Sequence, residues 1–287
     1  MKVLVTHTIP TVGLQMLREE GLEVVVLSGR TSKRDIIRAL RKDAYDGMVT
    51  LLTDPIDTEV LDAVGSDMRI IANYAVGYNN IAVSEAKERG IIITNTPGVL
   101  TETVAEHTMT LICAAAKRIV EADSFVRDNK FTCWEPELFL GIDLHGKTLG
   151  ILGAGRIGTR VAELARGFGM NIIYHDIQES KPLSDSTGAV YHAAPEEVLR
   201  QADVISVHLP LTDTTHHFLD ATRLSFLKAT AIVVNTSRGP VIDEDALTAL
   251  LAEKKIFAAA LDVFEHEPKV SRALRRCLLY TSPSPRD

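Results

Sequence analysis

Residues 149–158 read Leu-Gly-Ile-Leu-Gly-Ala-Gly-Arg-Ile-Gly, and Asp176 stands eighteen positions past the last of those glycines. No other stretch constrains the fold as much. The apolar run 148–152 reads as a strand, 153–158 as a glycine turn, and the residues that follow as a helix. Gly153 permits the tight turn, Gly155 lets the backbone close on a pyrophosphate, and Gly158 lets the helix pack against the strand it has just left. Unpaired N–H groups of the first helical turn then face the phosphate charge. A second strand over 171–175 ends at Asp176, whose carboxylate can accept hydrogen bonds from both ribose hydroxyls. Glycines alone would also suit an ordinary α/β turn. Strand, glycines, helix, strand and acid in register specify a dinucleotide-binding βαβ unit.

The 287 residues suffice for two domains, each with a core of its own. Hydrophobic residues make up 46% and charged residues 24%, as expected of a soluble globular chain. A net charge of −7, with no Lys/Arg cluster, argues against a nucleic-acid surface. No apolar run reaches the roughly 18 residues that a membrane span needs, and Met1-Lys2-Val3-Leu4-Val5 reads as a first strand rather than a signal peptide. Cys113, Cys133 and Cys277 are too scattered for a disulfide framework or a metal site. The expectation is a cytoplasmic protein without a metal, a nucleic-acid partner or a membrane partner.

The first hundred residues alternate short apolar runs (2–6, 23–27, 47–50, 69–72, 91–94) with helical stretches (13–19, 33–40, 58–64, 83–89). Such alternation predicts a parallel sheet covered by helices on both faces. A capping box at Thr103 and Glu106, followed by Val104, Thr108, Leu111, Ala115, Ile119, Ala122 and Val126 at helical spacing, predicts one long helix to about Asn129. It would suit a link between domains and a dimer contact, or serve only as a long surface helix. After a loop over 131–144 a second alternating series begins at Thr148, with strands near 171–175, 204–207, 231–235 and 258–261.

Chemistry gathers where that second series reaches the carboxyl ends of its strands. Asn235-Thr236-Ser237-Arg238-Gly239 presents an arginine in a glycine-permitted turn. A guanidinium there suits a planar clamp for a carboxylate or keto acid, although by itself it is equally a surface arginine. Asp262, Glu265 and Glu267 crowd the end of the next strand, which fits a site needing a carboxylate beside a cation. Asp203, Asp243 and Asp245 read as caps or solvated charges. Of the histidines, His107 reads as structural on a helix flank, His216 and His217 as surface or packing residues. His266 lies one residue from Glu267 and points the other way in extended chain.

Taken in order, Leu51-Leu52-Thr53-Asp54, Asn73-Tyr74-Ala75-Val76-Gly77-Tyr78-Asn79-Asn80, Asn95-Thr96-Pro97-Gly98-Val99-Leu100-Thr101-Glu102 and Glu137-Leu138-Phe139-Leu140-Gly141 lead into the glycine turn, the Arg238 turn and the 262–268 segment. This series resembles the D-isomer-specific 2-hydroxyacid dehydrogenases from about Met1 to Arg276, and among them the glyoxylate and hydroxypyruvate reductases most. The resemblance implies two doubly wound parallel-sheet domains: a flavodoxin-like substrate domain over 1–98, and a Rossmann NAD-binding domain over 99–276 that opens with the linking helix. It implies reduction of a small 2-keto acid, with phosphoglycerate or another D-hydroxy acid as an alternative substrate. A dinucleotide-sensing co-repressor is the alternative outside enzymes. It assigns Arg238 to the substrate carboxylate and carbonyl, and Glu267 to a histidine whose pKa it raises so that the ring can protonate the forming alkoxide. Backbone N–H groups of Val76 and Gly77 would hold the carboxylate, with Leu52 lining the pocket. Arg156 and Ile157 would meet pyrophosphate, Leu209, Pro210, Thr215 and Thr236 would surround the cofactor, and Asp262 would hold the nicotinamide carboxamide. Homodimers would form through the cofactor domain. Asp176 would repel a 2′-phosphate, and Ile177 and Gln178 offer no positive charge to hold one, so NAD is expected rather than NADP.

The pattern breaks at its end. The family's acid is a histidine in a Pro-His-x-Gly turn one strand beyond the glutamate, and this sequence holds no histidine after His266. Residues 277–287 back-translate to a match with a transposase adapter used in sequencing libraries. The natural sequence is therefore expected to stop near Arg276, with the last strand and returning helix missing, a point the encoding DNA would decide. Such a polypeptide is expected to turn over slowly.

Overall fold

The computed structural model describes residues 1–29 and 31–277 and, for 279–281, the backbone. It divides into two compact units, 1–99 and 100–287.

The first unit alternates β1 (Lys2–Val5), α1 (Thr11–Glu19), β2 (Glu23–Val26), α2 (Lys33–Lys42), β3 (Gly47–Thr50), α3 (Thr58–Asp62), β4 (Ile70–Asn73), α4 (Val83–Glu88) and β5 (Ile92–Thr94). All five strands run parallel in the order β2-β1-β3-β4-β5, the flavodoxin-like winding. Alternation along β1 shows why both faces must be covered. Leu4 packs with Ile36, Leu40, Met48 and Ile71, whereas Val3 and Val5 pack with Leu14 on the other side. Ser32 and Asp35 cap α2 reciprocally.

The second unit contains α5 (Thr101–Ala116), α6 (Ile119–Arg127), β6 (Thr148–Leu152), α7 (Arg156–Gly167), β7 (Asn171–His175), α8 (Lys181–Thr187), β8 (Val190–Tyr191), α9 (Pro195–Gln201), β9 (Val204–Val207), α10 (Ala221–Leu224), β10 (Ile232–Asn235), α11 (Glu244–Ala252), β11 (Ala258–Leu261) and β12 (Leu279–Thr281). Its strands are parallel in the order β12-β11-β10-β9-β6-β7-β8. The chain winds outward from β6 in one direction to β8 and then in the other to β12, so the topological switch point lies between β6 and β9. Ile151 and Val234 join one core cluster, with Ala105, Ile112 and Val161; Leu152, Val233 and Leu247 join the other.

Three expectations are corrected. The long helix is two helices, because Arg118 adopts a left-handed φ of 55°. The Ala116 carbonyl accepts the Ile142 N–H at 2.8 Å, and the Arg118 guanidinium pairs with Glu121 and covers the Phe139 ring. Those loop contacts end α5, and apolar spacing alone does not register them. The capping box does not form, since α5 starts at Thr101, its N-cap is Leu100 without a side-chain cap, and Thr103 is already inside the helix. The last strand, expected to be missing, is present: residues 279–281 lie parallel to β11, with Ala259 opposite Leu279 and Leu261 opposite Thr281. An open parallel edge presents unpaired N–H and C=O groups to any β-forming segment, and Leu-Tyr-Thr is one. The rest of the expected non-native tail, at 278 and 282–287, lies outside the described residues.

Candidate active site

The glycine turn occupies the carboxyl end of β6 at the switch point. Gly153 has φ +100°, and a Cβ there would sit 2.8 Å from the His208 carbonyl. A Cβ on Gly158 would collide with the Gly153 carbonyl oxygen, so the start of α7 closes tightly on the strand. Gly155 is different: a Cβ there would meet nothing within 4 Å. It is also the N-cap of α7, without a side-chain cap, which leaves the first-turn N–H groups, Arg156 and Ile157 included, facing that opening. Asp176 Oδ2 accepts the Ala154 N–H at 2.7 Å and its Oδ1 the Ile177 N–H at 2.6 Å. Each carboxylate oxygen keeps a further acceptor site. An open glycine, bare helical N–H groups and a half-buried carboxylate at the end of β7 fit a dinucleotide's pyrophosphate and ribose.

Asn235, buried at the end of β10, builds the next turn. Its amide donates to the Arg238 carbonyl at 2.9 Å, and its Oδ1 accepts from the Ser237 N–H at 3.0 Å and hydroxyl at 2.8 Å. Arg238 is partly buried and donates from Nη1 to the Ser237 carbonyl at 2.6 Å. A Cβ on Gly239 would run into the Phe264 backbone. That close approach sets the Arg238 turn beside the segment that follows β11. Thr236 is buried, its hydroxyl 2.9 Å from that of Thr108 on α5. Leu209 is buried and Pro210 exposed, with the Pro210 carbonyl taking the Thr215 hydroxyl at 2.5 Å. His208 Nε2 lies 2.8 Å from Ser206 Oγ, and desolvation pushes the ring down to about 4, so it is neutral at ordinary pH.

The three acids after β11 separate completely. Asp262 is buried, its N–H donating to the Asn235 carbonyl at 3.0 Å and its Oδ1 3.4 Å from His107 Nε2. Glu265 holds His217 Nε2 at 2.8 Å and the Glu244 N–H at 3.1 Å. Burial opposes its ionisation, but those two hydrogen bonds prevail and keep the carboxyl below the usual range. Its carboxylate and the ring nitrogens of His216 and His217 lie within 4.8 Å of one another. Glu267 is exposed and folds back to accept the Phe264 N–H at 2.9 Å. The histidine brought to an acid here is thus His217 at Glu265. His107, read as structural, faces Asp262 instead; its place between buried Val104 and Leu111 on one helix face was the available signal.

In the first unit, the turn after β4 is braced by amides. Asn73 Nδ2 donates to the Gly77 carbonyl at 2.7 Å, and Asn95 Nδ2 to the Val76 carbonyl at 2.7 Å. Asn80 Nδ2 reaches the carbonyls of Leu51 and Asp54 at 3.0 and 2.9 Å, tying in the Leu52 turn. Among the described residues the N–H groups of Val76 and Gly77 donate to no acceptor. Buried Asp54 accepts from Thr6 and from the Leu51 N–H, a network the motif did not announce.

The model of the D-isomer specific 2-hydroxyacid dehydrogenase family, NAD binding domain, matches residues 109–280. The chain belongs to this family. A glyoxylate reductase of Korarchaeum cryptofilum is 48% identical over 269 residues, 93% of this chain and 80% of that protein. Among solved structures, a protein of Thermus thermophilus is 40% identical with TM-score 0.91, covering 99% of this chain and 89% of its own. D-lactate dehydrogenase from Aquifex aeolicus, complexed with NAD and lactic acid, is 28% identical with TM-score 0.84, covering 98% and 87%. As a D-2-hydroxyacid dehydrogenase family member, the chain is an NAD(P)-dependent oxidoreductase, and its second unit carries the NAD-binding fold.

Proposed function

We propose that this chain reduces a small 2-keto acid, glyoxylate foremost, to the D-2-hydroxy acid with NADH. The observation that carries the reading is the open Gly155 turn at the switch point, on the same sheet edge as Arg238 and Asp262. The likeness to a glyoxylate reductase at 48% identity supports the substrate. The nicotinamide, when bound, supplies the hydride. Arg238 binds the substrate carboxylate and carbonyl oxygen and stabilises the negative charge that develops on that oxygen. The N–H groups of Val76 and Gly77 take the carboxylate, the Leu52 turn lines the substrate, and Asp262 accepts from the carboxamide. Leu209, Pro210, Thr215 and Thr236 border the cofactor. Glu267 is the carboxylate that would orient the proton-donating histidine, which residues 268–287 do not contain. Residues 1–98 serve as substrate domain and 99–276 as cofactor domain.

Asp176 decides the cofactor. Its charge opposes a 2′-phosphate, and neighbouring Ile177 is 93% exposed and offers no cation. Calorimetry should therefore show NADH binding more tightly than NADPH. Asp176→Asn should weaken NADH about tenfold, the worth of one hydrogen bond to a charged group, while NADPH loses nothing. NADPH preferred by the unaltered chain would overturn the assignment, and no heat with either dinucleotide would overturn the redox reading itself.

We also propose a homodimer formed through the second unit, working in the cytoplasm, where three free cysteines are at home. Ile119, Val120, Val126, Phe131, Trp134 and Leu140 are exposed within one stretch, Trp134 by 77%. An apolar surface of that kind favours an interface. Light scattering should give twice the chain mass, and Trp134→Glu with Phe131→Glu should halve it. A monomeric unaltered chain refutes the dimer.

A further inference from the structure

We infer that His107 is a positioning residue for the nicotinamide end of the cofactor, acting through Asp262. This rests on the dinucleotide reading above. The Asp262 side chain is fully buried at the carboxyl end of β11, and His107 Nε2 stands 3.4 Å from its Oδ1. That ring nitrogen is itself shielded from solvent and makes no hydrogen bond among the described residues. A buried imidazole nitrogen is costly unless a polar partner faces it, and the atom it faces is a carboxylate oxygen.

Backbone and neighbours fix this geometry. The Asp262 N–H is held by the Asn235 carbonyl at 3.0 Å. On α5, Thr108 joins the Val104 carbonyl at 2.7 Å to the Thr236 hydroxyl at 2.9 Å, which locks the helix against the turn after β10. His107, the preceding residue, is thereby presented at one height over the end of β11. With its proton on Nε2 the ring attracts the carboxylate oxygen that faces it, and that bias gives the other oxygen a defined direction. A carboxamide offers two N–H donors, so an oriented carboxyl oxygen is the acceptor it requires. Without the ring, the carboxylate loses the group facing its Oδ1, and the adenine half of the ligand is unaffected.

ADP-ribose makes the test selective, because it carries the adenosine and pyrophosphate of NADH but no nicotinamide. Calorimetry on the whole chain should find His107→Leu weakened for NADH by about tenfold and unchanged within about twofold for ADP-ribose. His107→Gln, whose amide can donate from nearly the same place, should recover most of the NADH affinity. Unchanged NADH binding in His107→Leu overturns the inference, as does equal weakening of both ligands, which would mark a merely structural histidine. If His107→Leu does not fold, His107→Met against His107→Gln gives the same comparison. Failure of the unaltered chain to bind either ligand is a distinct result that removes the dinucleotide reading first and this inference with it.

Discussion

Joining a segment that supplies the family's Pro-His-x-Gly turn after residue 276 is expected to raise the rate of glyoxylate reduction about 10²–10⁴-fold over the 287-residue polypeptide, the usual contribution of a general acid. The natural donor is the corresponding stretch of the Korarchaeum cryptofilum glyoxylate reductase, 48% identical over the shared length. Four titratable groups near the sheet edge of the second unit are engaged elsewhere. His208 is neutral well above its pKa of about 4 and hydrogen-bonded to Ser206. His107 faces Asp262, and His217 faces Glu265. Glu267 accepts from its own turn through Phe264. None of these four groups is then available to protonate an alkoxide formed beside Arg238. The gain should appear in kcat, with NADH affinity changing little, because the glycine turn and Asp176 are complete in the present chain. If residues 1–287 alone turn over glyoxylate at an ordinary rate of about 1–10³ s⁻¹, the missing-acid account is wrong.

How far the sequence carried depended on whether a feature was local. The glycine turn was legible because each glycine answers a separate steric demand: the His208 carbonyl over Gly153, the Gly153 carbonyl under Gly158, and an opening at Gly155. Apart from β8 and β12, which the sequence reading did not foresee, the strands of both sheets fell within one or two residues of their apolar runs, since parallel strands buried on both faces leave uninterrupted hydrophobic signals. What escaped was tertiary. The break at Arg118 is imposed by Ile142 and Phe139 from a loop more than twenty residues away. β12 forms because β11 has an edge to offer, a fact absent from the tripeptide that fills it. His107 looked structural because its sequence neighbour is Glu106, whereas its spatial neighbour, Asp262, is fixed only once α5 packs on the sheet. Asn73, Asn80 and Asn95 were legible as a motif, but the motif did not say that the Asn73 and Asn95 amides hold the Val76–Gly77 turn by its carbonyls while the Asn80 amide holds the carbonyls of Leu51 and Asp54.

Replacing Arg238 by glutamine should cost the NADH-loaded protein about 10²-fold in affinity for oxamate, an unreactive 2-keto acid mimic, while NADH itself binds within about threefold of the unaltered chain. Two charge-assisted hydrogen bonds from one guanidinium are worth about 3 kcal/mol after solvent exchange, and each 1.4 kcal/mol is tenfold. Lysine should recover only part, about tenfold, since an ammonium is a point charge that cannot grip a carboxylate and a carbonyl in one plane. The selectivity follows from how the turn is built. Asn235 holds the Arg238 carbonyl and Ser237, and Gly239 presses on the Phe264 backbone, so the main chain keeps its course whichever side chain stands at 238. Calorimetric titration of oxamate into each protein saturated with NADH reads the effect directly. Undiminished oxamate affinity in Arg238→Gln would mean that the arginine is a surface residue after all.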